Sequence, residues 1–275
     1  DGSATSIYGA RAMAGVIVVT TKKGIAGQSH LNYTGEFTTR LVPSYRNFNI
    51  LNSQDQMGIY KELRDKGWLN LSSVLNGSDY GVYGKMYELI NTYNTATGQF
   101  ALPNTPEAMN GYLYNAEMRN TDWFSELFSA NLMMNHSVSL SGGTEKTSYY
   151  ASLSAMVDPG WYKQSNVNRY TANLNTTYRI SPAIQLNIIA NASYRKQKAP
   201  GTLSQDVDVV NGQVKRDYDI NPYSYALNSS RALDPDAYYQ ANYAPFNILH
   251  ELDNNYIDLN VVDTKFQAEL RWKPI

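Results

Sequence analysis

Three histidines, His30, His136 and His250, are the only imidazoles in the chain, and none has a second ligand four residues away on a helix face, the spacing a zinc protease site needs. Each reads as a structural residue. Gly142-Gly143-Thr144-Glu145-Lys146 has the glycines and the lysine of a phosphate loop, but it lacks the Gly-x4-Gly-Lys-Ser/Thr spacing and precedes a strand, so it reads as a tight turn. Asp206, Asp208 and Asn211-Gly212 approximate a calcium loop; the third ligand comes one place late and no closing glutamate follows, which leaves an exposed acidic loop. Asp and Glu are otherwise scattered, with no pair standing out as an acid–base couple. The sequence therefore predicts no catalytic residue, no bound metal and no cofactor. Recognition chemistry is what remains. Trp161-Tyr162, Tyr238-Tyr239 and Tyr243 present aromatic faces that could stack on sugar rings or grip peptide side chains, or could equally pack against neighbouring protein.

Composition limits what could position them. The 275 residues contain no cysteine, which removes disulfides and thiolate chemistry together, and a formal charge of -1 gives no electrostatic case for nucleic acid. Mean hydropathy is negative, and no window approaches the roughly 20 consecutive apolar residues of a membrane helix. A chain of this kind meets a bilayer only as a closed barrel, the other backbone that satisfies its own hydrogen bonds in lipid. No charged and apolar leader precedes Asp1, so an export signal is expected upstream. Tyrosine is the compositional outlier, at 23 beside 7 Phe and 4 Trp.

The dominant pattern has period two. Alternation predicts strands near 29–40, 135–142, 146–157, 166–180, 183–197 and 256–273. In the fourth, Tyr170, Ala172, Leu174, Thr176, Tyr178 and Ile180 oppose Thr171, Asn173, Asn175, Thr177 and Arg179; in the fifth, Ile184 to Tyr194 on even numbers oppose Gln185, Asn187, Asn191, Ser193 and Arg195. The polar face is mostly Asn, Gln, Ser and Thr, which suits a wet barrel lumen better than the charged exterior of a soluble sandwich. Tyr170 and Tyr178 bracket an apolar stretch of about 27 Å at strand rise, and with Tyr194 and Trp272 they are candidates for membrane-girdle aromatics, although tyrosine favours strands anyway. In the last strand Ile257, Leu259 and Val261 have the opposite parity to Phe266, Ala268, Leu270 and Trp272, which predicts a bulge or bend between them.

Connections alternate long, short, medium, short, long, as when tight turns lie on the periplasmic side and loops outside. The long ones carry helices. Ser53 with Gln56 reads as a capping box before a Met57, Tyr60, Leu63 face that ends at Gly67, and Thr105-Pro106-Glu107 starts another helix.

Specific wording goes beyond pattern. The opening SATSIYGARAMAGVIVVTTKKG, Ser3 to Gly24, reads as a small-residue helix, a turn and a short strand, and it resembles the end of the plug domain of TonB-dependent outer-membrane receptors of the SusC-like (SusC/RagA) branch. Asn120 to Phe128 (NTDWFSELF), Asn135 to Tyr150 (NHSVSLSGGTEKTSYY), Asn221 to Leu227 (NPYSYAL) and Tyr243 to Asn260 (YAPFNILHELDNNYIDLN) are similar to later family segments, in family order. The resemblance implies an all-β fold: part of a large antiparallel transmembrane β-barrel (25–275), preceded by the C-terminal end of an α+β plug domain (1–24), with helical insertions in long extracellular loops. It also implies import of oligosaccharide or peptide across the outer membrane of a Gram-negative bacterium, a SusD-like surface lipoprotein, TonB engaged through a region upstream, and outer-membrane lipid around the wall. Six strands are too few to close such a barrel, whose smallest single-chain forms use about eight, so a piece of a larger receptor is expected. Two other readings compete: a secreted β-sandwich that binds glycans, whose apolar faces would meet in a core, and an outer-membrane enzyme barrel, which would need an inward nucleophile or metal cluster.

Overall fold

A computed structural model of the chain describes residues 27–69, 81–201, 207–208, 213–214, 221–241 and 244–274. Its frame is one six-stranded antiparallel sheet, built from β1 (Gly27–Arg40), β2 (Asn131–Gly143), β3 (Thr147–Asp158), β4 (Val167–Ser181), β5 (Ile184–Pro200) and β6 (Tyr256–Trp272). The strands lie side by side in chain order, an up-and-down meander, each close to its predicted range. The stretch 1–24, expected to end a plug, lies outside the described residues.

Two tight turns set the register at one end of the sheet. Between β2 and β3, Thr144 Oγ1 accepts from the amides of Lys146 and Thr147. A Cβ on Gly143 would run into the Thr147 carbonyl and Ser148 Cα, so glycine here is what lets the two backbones approach. Between β4 and β5, Ser181 Oγ accepts from the amides of Ala183 and Ile184 and closes the Pro182-Ala183 corner. The long connections all leave from the opposite end.

One expectation fails here. β6 pairs with β5 without a break from Tyr256 opposite Pro200 to Trp272 opposite Ile184, so there is no bulge between Val261 and Phe266. The change of parity reflects a change in what is dry. Ile257 lies on the polar face where other protein covers it and is 6% exposed, Leu259 is half-buried, and Val261, farther along, is 41% exposed. Beyond that point the apolar residues are on the other face.

The cover is a helical cap made by the long connections. It contains α1 (Ser53–Asp65), α2 (Gly81–Asn91), α3 (Pro106–Arg119), α4 (Trp123–Leu127), α5 (Pro222–Asn228) and α6 (Ile248–Asn254). Thr105 caps α3 with Pro106 in its first turn, as the sequence predicts. Gly67, at φ +68°, ends α1, with its amide bonded to the Arg64 carbonyl and Trp68 N to Leu63 O. The capping box on Ser53 does not form. Asn52 is the N-cap, accepting from Asp55 N at 2.8 Å, while buried Ser53 donates to Glu117 O and accepts from Asn120 N, tying α1 to the end of α3. A hydroxyl needed between two helices is not free to cap one of them.

The chain's main hydrophobic core lies in this cap and not in the sheet. Met57, Tyr60, Tyr83, Trp123, Phe124 and Leu252 are among its buried members. Residues 119–123 run beside 230–234: Thr121 N donates to Arg231 O at 2.7 Å, Trp123 Nε1 to Ser230 O at 2.9 Å, and Arg119 to Ala232 O at 2.7 Å.

Candidate functional site

The two faces of the sheet differ sharply. Cross-strand rows on one face read Leu140, Ala151, Leu174, Ala190, Phe266, and next to it Val138, Leu153, Ala172, Ala192, Thr264. From the His136, Tyr170, Tyr194 row to the Tyr178, Leu186, Leu270 row, this face carries no Asp, Glu, Lys or Arg. It is also uncovered: Phe266 is 74% exposed, Leu31 71% and Trp272 68%. Soluble monomers rarely leave an apolar patch of more than a few hundred Å² in water, so a continuous face across six strands marks a surface whose solvent is not water.

The other face is a lattice of short polar side chains bonded row by row. Asn135 Nδ2 donates to Glu36 Oε2 at 2.9 Å, Asn173 to Ser152 at 3.2 Å, and Thr177 Oγ1 to Asn187 Oδ1 at 2.9 Å; Ser154 and Thr171 hydroxyls lie 2.5 Å apart. Such groups satisfy one another and still leave lone pairs and protons for water.

Aromatic residues gather at two levels of the apolar face. At one, Tyr170 and Tyr194 stack with centroids 6.5 Å apart, and Tyr33 donates to or accepts from His136 Nδ1 at 2.7 Å while Phe37 meets the same imidazole edge-on at 5.5 Å. At the other are Tyr149, Tyr178 and Trp272, with Tyr149 bonded to Ser29 across Gly142, which has no room for a side chain beneath the ring. Trp272 lies ten residues from Val262, the partner of Tyr194; that is about 34 Å along the strand, or roughly 24–28 Å once tilted by 35–45°. Tyr33, His136 and Tyr149 add to these two levels; their parity with Leu31, Leu140 and Ala151 on their own strands marks the same face.

The five aromatic residues singled out for ligand contact separate. Tyr239 is buried in the cap, its hydroxyl accepting from Asp234 N at 2.8 Å, and burial raises its phenol pKa. Half-buried Trp161 and Tyr162 both meet Phe128 edge-on, at 4.9 and 5.9 Å, and Trp161 Nε1 donates to Leu41 O, so these rings join the middle connection to the cap. Tyr238 is exposed and tilted against His250 at 5.5 Å. Tyr243 lies outside the described residues, as do Asp206, Asn211 and Gly212. At the rim, Asp158 ties the ends of three neighbouring strands: it takes Arg40 of β1 at 3.0 Å, Asn131 Nδ2 of β2 at 3.1 Å and, just past β3, Gly160 N at 3.0 Å. Among the described residues no group of three or more His, Asp or Glu could hold a metal ion, and no helix is long and apolar enough to cross a membrane.

This architecture, an open antiparallel wall with one dry face, one wet face and a folded cap at one rim, is that of TonB-dependent receptor barrels. The chain superposes over its whole length on the RagAB peptide importer in its closed-closed state, at TM-score 0.66, 18% identity and 30% of that chain, and on the open-open state at TM-score 0.65, 19% identity and 29% of that chain. In sequence it is 30% identical over 176 residues to the TonB-dependent receptor SusC of Bacteroides thetaiotaomicron, covering 64% of this chain and 13% of that protein. It is also 23% identical over 278 residues to the TonB-dependent receptor P3 of Formosa agariphila, covering 92% of this chain and 23% of that one. No family model matches. The chain is thus a SusC/RagA-like fragment, spanning less than a quarter of the length of these curated relatives.

Proposed function

We propose that the chain is a wall segment of a TonB-dependent nutrient importer in the outer membrane of a Gram-negative bacterium. The observation that carries this reading is the apolar face: uncharged, continuous over six strands and left bare while the helices pack off one rim. Bilayer lipid is the solvent such a face requires, and the hydrogen-bonded Asn, Ser and Thr lattice behind it suits a water-filled lumen. Tyr170, Tyr178, Tyr194 and Trp272, with Tyr33 and Tyr149, would form the two interfacial belts. Residues 1–24 would close the plug, and TonB, engaged through a region upstream, would supply the energy that displaces it.

The long-connection rim would face outward, and the cap would meet a SusD-like surface lipoprotein that delivers oligosaccharide or peptide. Within that rim, exposed Tyr238 is the better placed of the described aromatic candidates to touch substrate or partner, with Tyr243 close by in sequence; Trp161, Tyr162 and Tyr239 would shape the rim from within. No bond of the substrate is made or broken in this scheme.

The test is fractionation of the full-length protein carrying this segment. Recovery with outer membranes, a need for detergent, and a shift in gel mobility on boiling are expected. A monomer soluble in plain buffer would refute the reading and favour the secreted β-sandwich. Deletion of the gene should also abolish growth on at least one defined glycan or peptide source.

A further inference from the structure

The apolar face is not flat. Ala155, Ala172 and Ala192, with Thr264 on β6, leave a depression of about 560 Å³, walled by Leu153, Tyr170, Tyr194 and Val262. That volume falls in the range of ligand-sized clefts, about 300–1,000 Å³. It lies immediately inside the tyrosine level nearest the cap.

Directly past that level, on the same face, the first charges appear. Lys196 follows Tyr194 by two residues and stands between Asn168 and Asn260; Lys198 comes two further on, opposite Asp258. At strand rise the two lysine positions are about 7 and 14 Å beyond the tyrosines. Lys196 is exposed, while half-buried Lys198 holds its ammonium 4.3 Å from the Tyr256 ring centroid. With Asp258 counted, the patch has two ammonium groups to one carboxylate. Tyr194 already donates to Asn260 Oδ1 at 3.3 Å, which holds the rim in place.

We propose that this depression seats one acyl chain of a phosphate-bearing outer-leaflet lipid, whose phosphate is held by Lys196 and Lys198. The inference rests on the membrane reading above. The surface the cleft exposes is almost wholly apolar; of its polar side chains, His136 has Nδ1 already bonded to Tyr33 and Tyr194 has its hydroxyl bonded to Asn260, so the lining favours hydrocarbon over a sugar or a peptide bond. The charge past the rim is at headgroup depth and net basic, which favours an anionic headgroup over one that brings its own ammonium.

The full-length protein, purified in detergent and stripped of lipid, would be titrated with lipid A and with phosphatidylcholine, and bound lipid counted by native mass spectrometry. Lipid A should bind preferentially. Lys196→Ala with Lys198→Ala should weaken it about fivefold per lysine, roughly 25-fold together, and leave phosphatidylcholine unaffected. Ala172→Phe with Ala192→Phe, which fills the cleft, should lower retention of both lipids, and Lys196→Arg with Lys198→Arg should restore the preference. Each variant is checked by its shift in gel mobility on boiling. Equal binding of the two lipids, or unchanged lipid A affinity in a folded lysine double variant, would overturn the proposal while leaving the importer reading intact. A protein that needs no detergent would remove both.

Discussion

Ala190→Arg is the sharpest test of which solvent the apolar face meets. Ala190 lies in the middle of five rows, level with Leu174 and Phe266, and four residues from Tyr194. Four residues at strand rise are about 14 Å, or roughly 10–11 Å of depth at a 40° tilt, which puts the guanidinium near the midplane of a 25 Å apolar band. A cationic side chain there costs about 2–4 kcal/mol, a fall of about 30- to 900-fold in the folded-to-unfolded ratio. Asn191→Arg, one residue on and facing the polar lattice, should stay within about 0.5 kcal/mol. Ala192→Arg should fall between Ala190→Arg and a rim substitution, since the cost declines toward the interface. Urea unfolding of the full-length protein in vesicles, followed by tryptophan fluorescence and by gel mobility, gives each difference. Equal effects at Ala190 and Asn191, or no gradient along β5, would refute a lipid-facing assignment.

Trp123→Ala should cost the cap about 3–5 kcal/mol, because a fully buried ring and its bond to Ser230 O are lost together; limited proteolysis should then cut the long connections while the wall stays heat-modifiable. Asp158→Ala removes the acceptor shared by Arg40, Asn131 and Gly160 and should loosen the rim ends of β1, β2 and β3 by about 1–3 kcal/mol, seen as faster amide exchange there. Gly143→Ala should disturb the β2–β3 hairpin at a cost of about 1–3 kcal/mol and slow assembly into vesicles. Burial raises the phenol pKa of Tyr45, Tyr83, Tyr112 and Tyr239, so these four hold their protons in the folded cap after unfolded tyrosines have lost theirs. The stability they contribute is complete below pH 10 and declines as pH rises above it. Phenolate absorbance should show a late-titrating group, with cap unfolding in that alkaline range.

The wall was legible in the sequence because period two is a local signal, and a strand with one apolar and one polar face writes it in every residue. All six strands and the long–short alternation of their connections could be placed that way, from Leu31 in β1 to Trp272 in β6. The cap was not. Its core joins residues far apart in the chain, such as Thr121 with Arg231 and Leu233, and such pairings have no period. The two failed expectations share a cause: Ser53 and the Ile257, Leu259, Val261 run looked like local features, a cap and a bulge, because their partners on other segments were invisible. Tyr239 has the same character: sequence leaves ligand contact and packing against protein open for a tyrosine on a long loop, and its burial depends on residues far away in the chain.

The family wording concentrates where packing is most exacting, and this bears on what it can reveal about substrate. In NTDWFSELF, Asn120 takes a left-handed backbone (φ 50°), Asp122 caps α4, and Trp123, Phe124 and Leu127 are buried. In NPYSYAL, Asn221 caps α5 and buried Ala226 offers its carbonyl to Tyr45; in the last segment Asn247 binds the Pro235 and Ala237 carbonyls. The GGTEK turn is recognisable because the backbones touch at Gly143. These residues build a rim of fixed shape and touch each other, so they identify the scaffold and say little about its cargo. Under the importer proposal, specificity would be sought in the exposed positions the scaffold leaves free: Tyr238, the Tyr93 and Phe100 pair on its short hairpin, and the outer surfaces of α1 and α3, where Ile59 and Tyr114 lie open. Exchanging those positions between two receptors of this kind should move substrate preference, whereas exchanging the recognisable motifs should change only stability.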